Sequence, residues 1–164
     1  MSPTELRTDL ASPAATSIEI PIAWGEMDAL GHVNNAVYFR YIEIARIDFL
    51  RKAGCHALRD ETGVGFILQF VEMRFRQPLV FPDTIRVDSK LISIEADRFT
   101  LAHAVVSNTT KQVAAIARGT IVTYDYRSRE KRQIPEKVRA ALASIDPVTF
   151  PGPSAKPDPN RSRA

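Results

Sequence analysis

A chain of 164 residues holds one domain and not comfortably two. With 45% hydrophobic and 25% charged residues its composition is globular, which excludes wholesale disorder and collagen-like repeats. A single cysteine, Cys55, rules out a disulfide scaffold and a Cys-rich metal site, and 22 basic against 19 acidic residues fall short of a nucleic-acid footprint.

The first 16 residues, with Pro3, Pro13 and several Ser, Thr and Ala, read as a loose arm. They carry no apolar run of the signal-peptide kind, and nowhere does the chain approach the ~18 consecutive apolar residues of a membrane span. The expectation is a cytoplasmic protein that neither spans a membrane nor binds nucleic acid. From Ser17 to Trp24 the residues Ile18, Ile20, Ile22 and Trp24 alternate on one face, the period of a half-buried strand, and Pro21 marks an edge or bulge. A polar, irregular stretch follows from Gly25 to Asn35.

Asn34 and Asn35 can cap a helix over about Ala36 to Ala53, which Gly54 ends. Tyr38, Tyr41, Ile42, Ala45 and Phe49 form its stripe. Phe39, Ile44, Ile47 and Leu50 lie off that stripe, so the helix is expected to be buried on several sides. His56 then falls in a loop. Strands are expected over Gly65–Arg76, with Ile67, Val71, Met73 and Phe75 on one face, and over Asp83–Ile94, with Ile85, Val87 and Leu91 inward. Two more, Arg98–Ser107 and Gln112–Tyr126, flank a turn at Asn108-Thr109-Thr110. A short helix over Pro135–Ser144 has proline at its first position, and five prolines in the 18 residues from Pro147 mark a flexible tail. The organisation is therefore an arm (1–16), one folded unit (17–146) and a tail (147–164). The class is α+β, a long antiparallel sheet wrapped around one helix, whose free edges invite pairing with another subunit.

Trp24 to Arg46, W-G-E-M-D-A-L-G-H-V-N-N-A-V-Y-F-R-Y-I-E-I-A-R, carries the chemistry. It places a carboxylate (Asp28) and an imidazole (His32) in a loop that runs into a helix N-terminus. Unpaired N–H groups and the positive dipole end there favour an oxyanion, so the arrangement suits acyl transfer. The same residues also make a plain turn, with Asp28 accepting from local backbone and Gly31 at positive φ.

This segment resembles the signature of hot-dog-fold acyl-CoA thioesterases of the 4-hydroxybenzoyl-CoA thioesterase type, W-G-D-x-D-x-x-G-H-V-N-N-x-x-Y-x-x-Y-x-E-x-A-R. Glu26 departs from it by standing where Asp is usual. The resemblance covers about residues 17 to 145 and implies a hot-dog fold and hydrolysis of acyl-CoA to free acid and CoA, with no cofactor and no metal. It implies that Asp28 attacks the thioester carbonyl or activates water, that the Asn35 backbone N–H polarises the carbonyl oxygen, and that His32 lies beside the substrate. It further implies a homodimer or homotetramer with sites between subunits, acting on acyl-CoA or on acyl carrier protein.

Tyr38, Arg127, Arg129 and Lys131 are the expected substrate contacts, the basic residues as docking for CoA phosphates; a solvated charged turn is the plainer reading of that run. Glu43, about 12 Å along the helix from Asn35, is a rival carboxylate or an ion-pair partner of Arg40 or Arg46. His103 is a packed or half-exposed strand residue, Cys55 an unreactive thiol, and a metal on Glu26, Asp28 and His32 is disfavoured because all three share one short loop. Rival functions are a non-catalytic acyl-CoA sensor and a hot-dog acyl-CoA hydratase.

Overall fold

The computed structural model describes residues 14–146; most of the arm and the whole Pro-rich tail lie outside them. β1 (Thr16–Pro21) begins inside the stretch expected as arm and pairs antiparallel with β3 (Thr84–Ile94), setting Ile18 opposite Val87 and Ile20 opposite Ile85. It is an edge strand, so the missing N–H of Pro21 costs no ladder bond inside the sheet. The strand does not continue to Trp24. Ile22 donates its N–H to Asp83 C=O at 2.9 Å, and Trp24–Glu26 form a turn of 3-10 helix that leaves Trp24 74% exposed. Alternation suggested a longer strand, but the Glu26 carboxylate accepts from Ala23 N–H at 2.8 Å and bends the chain away.

α1 (Asn35–Lys52) starts at the cap Asn34, whose side chain accepts from Ala36 N–H at 2.9 Å, and gives way at Gly54, which sits at φ 71°. A second helix, α2 (Cys55–Thr62), occupies the place expected to be a loop and includes His56. Its eight residues span barely two turns, too short a stretch for a helical period to announce it, and two left-handed glycines, Gly54 and Gly63, bracket it.

The remaining strands are β2 (Val64–Phe75), β3, β4 (Arg98–Ser107), β5 (Val113–Asp125) and the two-residue β6 (Glu130–Lys131); α3 (Glu136–Ile145) has Pro135 as its cap and not as its first helical residue. The sheet is antiparallel in the order β1-β3-β4-β5-β2, with β6 on β5. α1 packs against β3, β1 and β4. The result is the expected hot-dog arrangement, one long helix in the hollow of a curled sheet.

The core has two clusters. Tyr38, Tyr41, Ile42 and Ala45 of α1 meet Ile85, Val87 and Val105, and farther along Phe49 and Leu50 meet Leu91, Phe99, Ile121 and the Val138–Leu142 face of α3. Each large apolar side chain buried there contributes ~1.5–3 kcal/mol. The other side of α1 stays open in this chain: Phe39, Ile44 and Ile47 are about two-fifths exposed, so of the off-stripe residues only Leu50 is buried.

In β2 a bulge between Leu68 and Phe70 switches the inward parity. Phe66, and not Ile67, faces the core and stacks edge-on against Phe99 at 5.7 Å, whereas Val71 and Met73 face inward after the bulge. No helix among the described residues is long and apolar enough to cross a membrane.

Candidate active site

The loop between the 3-10 turn and α1 is held by its own backbone. Asp28 N–H donates to His32 C=O at 2.7 Å, Gly31 N–H donates back to Asp28 C=O at 3.1 Å, and Gly31 takes φ 76°, where a side chain would be strained. Met27 and Val33 bridge the loop's base. Asp28 Oδ1 accepts from Leu30 N–H at 2.8 Å and, more weakly, from His32 N–H at 3.5 Å, while Oδ2 has no donor among the described residues. The turn reading and the chemical reading thus share one carboxylate: one oxygen builds the turn and the other is free.

At the helix start, Asn34 satisfies Ala36 N–H through its side chain and Val37 N–H through its carbonyl. Among the described residues no acceptor takes the N–H of Asn35, the first of the helix. Asp28, His32, Asn35 and Tyr38 line one cleft of about 310 Å³ with Leu30, Phe75, Arg76 and Gln77. The His32 ring has no hydrogen-bond partner among the described residues.

The far wall is tied to the helix. Tyr38 Oη accepts from Leu79 N–H at 3.1 Å, and the Tyr38 ring meets Phe75 edge-on at 5.1 Å. Burial raises the Tyr38 phenol above its usual range, against the Leu79 bond, which lowers it. Behind the loop, Tyr41 Oη donates to Glu26 Oε2 at 2.7 Å, the oxygen that also accepts from Ala23 N–H. Burial, then the Glu26 carboxylate, pushes the Tyr41 phenol far up, so it remains a donor at neutral pH. Glu26, the departure from the expected motif, therefore joins turn, loop and helix.

The basic residues do not join this cleft within one chain. Arg127, Arg129 and Lys131 follow the end of β5 that pairs with Val64, whereas the cleft lies by Phe75, at the other end of β2. Eleven residue steps of ~3.3 Å separate those ends by roughly 35 Å. Lys131 lines a shallow surface hollow with Arg132, which ion-pairs with Asp125 at 3.3 Å. Of the cleft residues that the sequence did not single out, Leu30 comes from the Asp28–His32 loop itself, whereas Gln77 and Pro78 come from the β2–β3 connection where it returns to the helix, a contact no local pattern marks; Phe75, expected only as a strand-face residue, joins them from the end of β2.

Glu43 pairs with Arg46 at 3.3 Å, one of the two arginines expected. His103 is fully buried, with Nδ1 against Ser89 Oγ at 2.8 Å. Cys55 is buried and its thiol is pushed up to about 12 by burial, so it stays protonated. No group of three or more potential metal ligands occurs among the described residues.

Residues 22–142 match the thioesterase-like superfamily, and the chain belongs to it. It is thus a thioester hydrolase by class. Among relatives, the long-chain acyl-CoA thioesterase FadM of Escherichia coli K12 is 24% identical over 127 residues, 77% of this chain and 96% of its own length. A chloroplastic acyl-acyl carrier protein thioesterase, ATL3, of Arabidopsis thaliana is 29% identical over 126 residues, 75% of this chain and 65% of its own. Among solved structures, a thioesterase from Thermus thermophilus complexed with coenzyme A and Zn superposes with a TM-score of 0.74 at 22% identity, over 85% of this chain and 99% of that one.

Proposed function

We propose that the protein hydrolyses acyl-CoA thioesters to the free acid and CoA. The observation that carries this reading is the placement of the free Asp28 Oδ2, the unpartnered Asn35 N–H and the His32 ring around one cleft. The thioester oxygen seats at the Asn35 N–H, where the helix dipole favours the negative charge that develops on it. Asp28 then takes a proton from water as water adds to the carbonyl, or adds to the carbonyl itself to give an acyl-aspartate that water opens. In either route the C–S bond breaks and the electron pair leaves on sulfur; the thiolate takes up the proton that Asp28 drew from water in the first route, or one released as water opens the acyl-aspartate in the second. A thiol with a pKa near ~8.5 leaves readily, so no strong general acid is needed. His32 orients the carbonyl or the water.

The acyl carrier is CoA, whose phosphates meet Arg127, Arg129 and Lys131 from a second copy. Antiparallel pairing of two β2 edges brings the far end of one sheet beside the cleft of the other, which a single chain cannot do over roughly 35 Å. The exposed Phe70 on that edge, and Phe39, Ile44 and Ile47 on α1, are apolar surface available to such a dimer or to a tetramer of dimers.

Thiol release from a panel of acyl-CoAs tests the reading. Asp28→Asn is expected to lower kcat by about 10²–10⁴-fold while KM stays within about threefold. Equal turnover by the variant would overturn the role given to Asp28, and no release from any thioester would overturn the function.

A further inference from the structure

Three large apolar side chains, Trp24, Val80 and Phe81, stand exposed at the end of the molecule where β1 finishes. The backbone gathers them. The bond from Ile22 N–H to Asp83 C=O adds one rung to the β1–β3 pairing, and Trp24 and Phe81 each lie two residues beyond it. Phe81 N–H meets Met27 Sδ at 3.4 Å, and Met27 N–H donates to Trp24 C=O at 3.2 Å. Leu30, also exposed, stands in the same loop and lines the cleft. In the strand order β1 is the edge opposite β2, so the patch lies off the edge given to a second copy. An exposed cluster with two aromatic rings marks a binding surface.

The Pro-rich segment from Pro147 to Ala164 leaves the folded unit on the same edge. On the side of β3 that faces β1, Asp83 C=O accepts from Ile22 N–H, Ser89 C=O accepts from Ala15 N–H at 3.0 Å, and Leu91 N–H donates to Asp146 Oδ2 at 2.9 Å. Asp146 is therefore eight strand steps, roughly 26 Å, from the rung at Asp83. At ~3.1 Å per residue, the eleven steps from Asp146 to Pro157 span roughly 34 Å of polyproline II, so Pro157 and Pro159 reach Trp24 and Phe81. Such a chain docks on aromatic rings at low entropic cost because proline has already ordered it. Charge points the same way. From Ala15 to Gly31 and from Gln77 to Thr84 the sequence carries Glu19, Glu26, Asp28 and Asp83 and no Lys or Arg, and these four acids accept hydrogen bonds from neutral groups. Of the nearest cations, Arg86 is held by Asp88 at 2.9 Å and Arg76 lines the cleft. The segment brings Lys156, Arg161 and Arg163 against one acid, Asp158. The superfamily match ends at residue 142, before this segment begins.

We infer that Pro147–Ala164 folds back along the β1 edge and docks Pro157 and Pro159 on Trp24 and Phe81, with Arg161 and Arg163 at the acidic rim beside the cleft. Because the segment is tethered, its effective concentration is of millimolar order, and a contact too weak to hold a free peptide holds it. The inference stands apart from the hydrolase reading, since surface and segment are the same whatever the cleft turns over.

Trp24 is the only tryptophan, so its fluorescence reports on this patch alone. Acrylamide quenching of the full chain is compared with that of two full-length double variants, Pro157→Ser with Pro159→Ser and Arg161→Ser with Arg163→Ser, all outside the folded unit. The wild type should be quenched at least about twofold less than the proline variant. The arginine variant should fall between them, and added salt should move the wild type toward it. A synthetic peptide of residues 147–164, added at millimolar concentration to the proline variant, should restore the protection of Trp24, and the same peptide should protect less when Phe81→Ser is also present. Equal quenching of the wild type and the proline variant overturns the inference. So does protection that persists in both variants and disappears on dilution, which would assign the patch to a second copy of the chain.

Discussion

Glu26 shows how much one side chain organises. Its Oε2 accepts from Tyr41 on the helix and from Ala23 in the turn, and its carbonyl accepts from Asn34 N–H at 2.9 Å. Asp28 and Asn35 are thereby placed by a residue that does not line the cleft. Glu26→Ala should lower kcat by about tenfold with a smaller change in KM, and Glu26→Gln, which keeps an acceptor, should recover most of it; in a double-mutant cycle with Tyr41→Phe the losses should not add. Additive losses would separate the two residues. His103 gives a pH prediction. Its native pKa of about 3 lies below the ordinary 6.5, so the unfolded chain binds a proton that the native chain refuses. Stability from this group is complete above ~6.5 and falls as pH drops toward 3. Urea titrations at a series of pH values should show that slope weakened in His103→Asn.

At the scale of elements, the sequence was legible where a period repeats. β4 was expected over Arg98–Ser107, the range observed, and Ile85, Val87 and Leu91 all face inward as their alternation requires. The loop of Asp28 and His32 was legible because its turn chemistry is local. What could not be read has two causes: the bulge that puts Phe66 inward follows from the register with β5, a partner distant in sequence, and α2, eight residues between two glycines, is too short for a period to repeat. Trp24 misled because alternation continues past the point where Glu26 bends the chain. The cap of α1 is local again. Asn34→Ala should cost about 1 kcal/mol, read as a lower Tm, and should lower activity as well, since the same turn presents the Asn35 N–H. Loss of stability without loss of activity would detach the cap from the site.

For the whole molecule, the two edges of the sheet have different fates. β1 closes one side and ends at Pro21, whereas β2 offers twelve residues of backbone on the other, with Phe70 just over half exposed. If two copies pair there, Phe70→Lys should shift the mass measured by light scattering toward the monomer and reduce turnover in step. A variant that remains assembled would move the interface elsewhere.

The bond from Leu79 N–H to the Tyr38 hydroxyl has a consequence in time. Leu79 belongs to a connection between strands, where amides ordinarily trade their hydrogens with solvent quickly, yet this one is buried and held by a side chain of the central helix. Its hydrogen should exchange on the slow schedule of α1 itself, and Tyr38→Phe should release it to the faster schedule of a loop. The wall of the cleft then keeps the helix's clock, and substrate meets a surface that was set before it arrived.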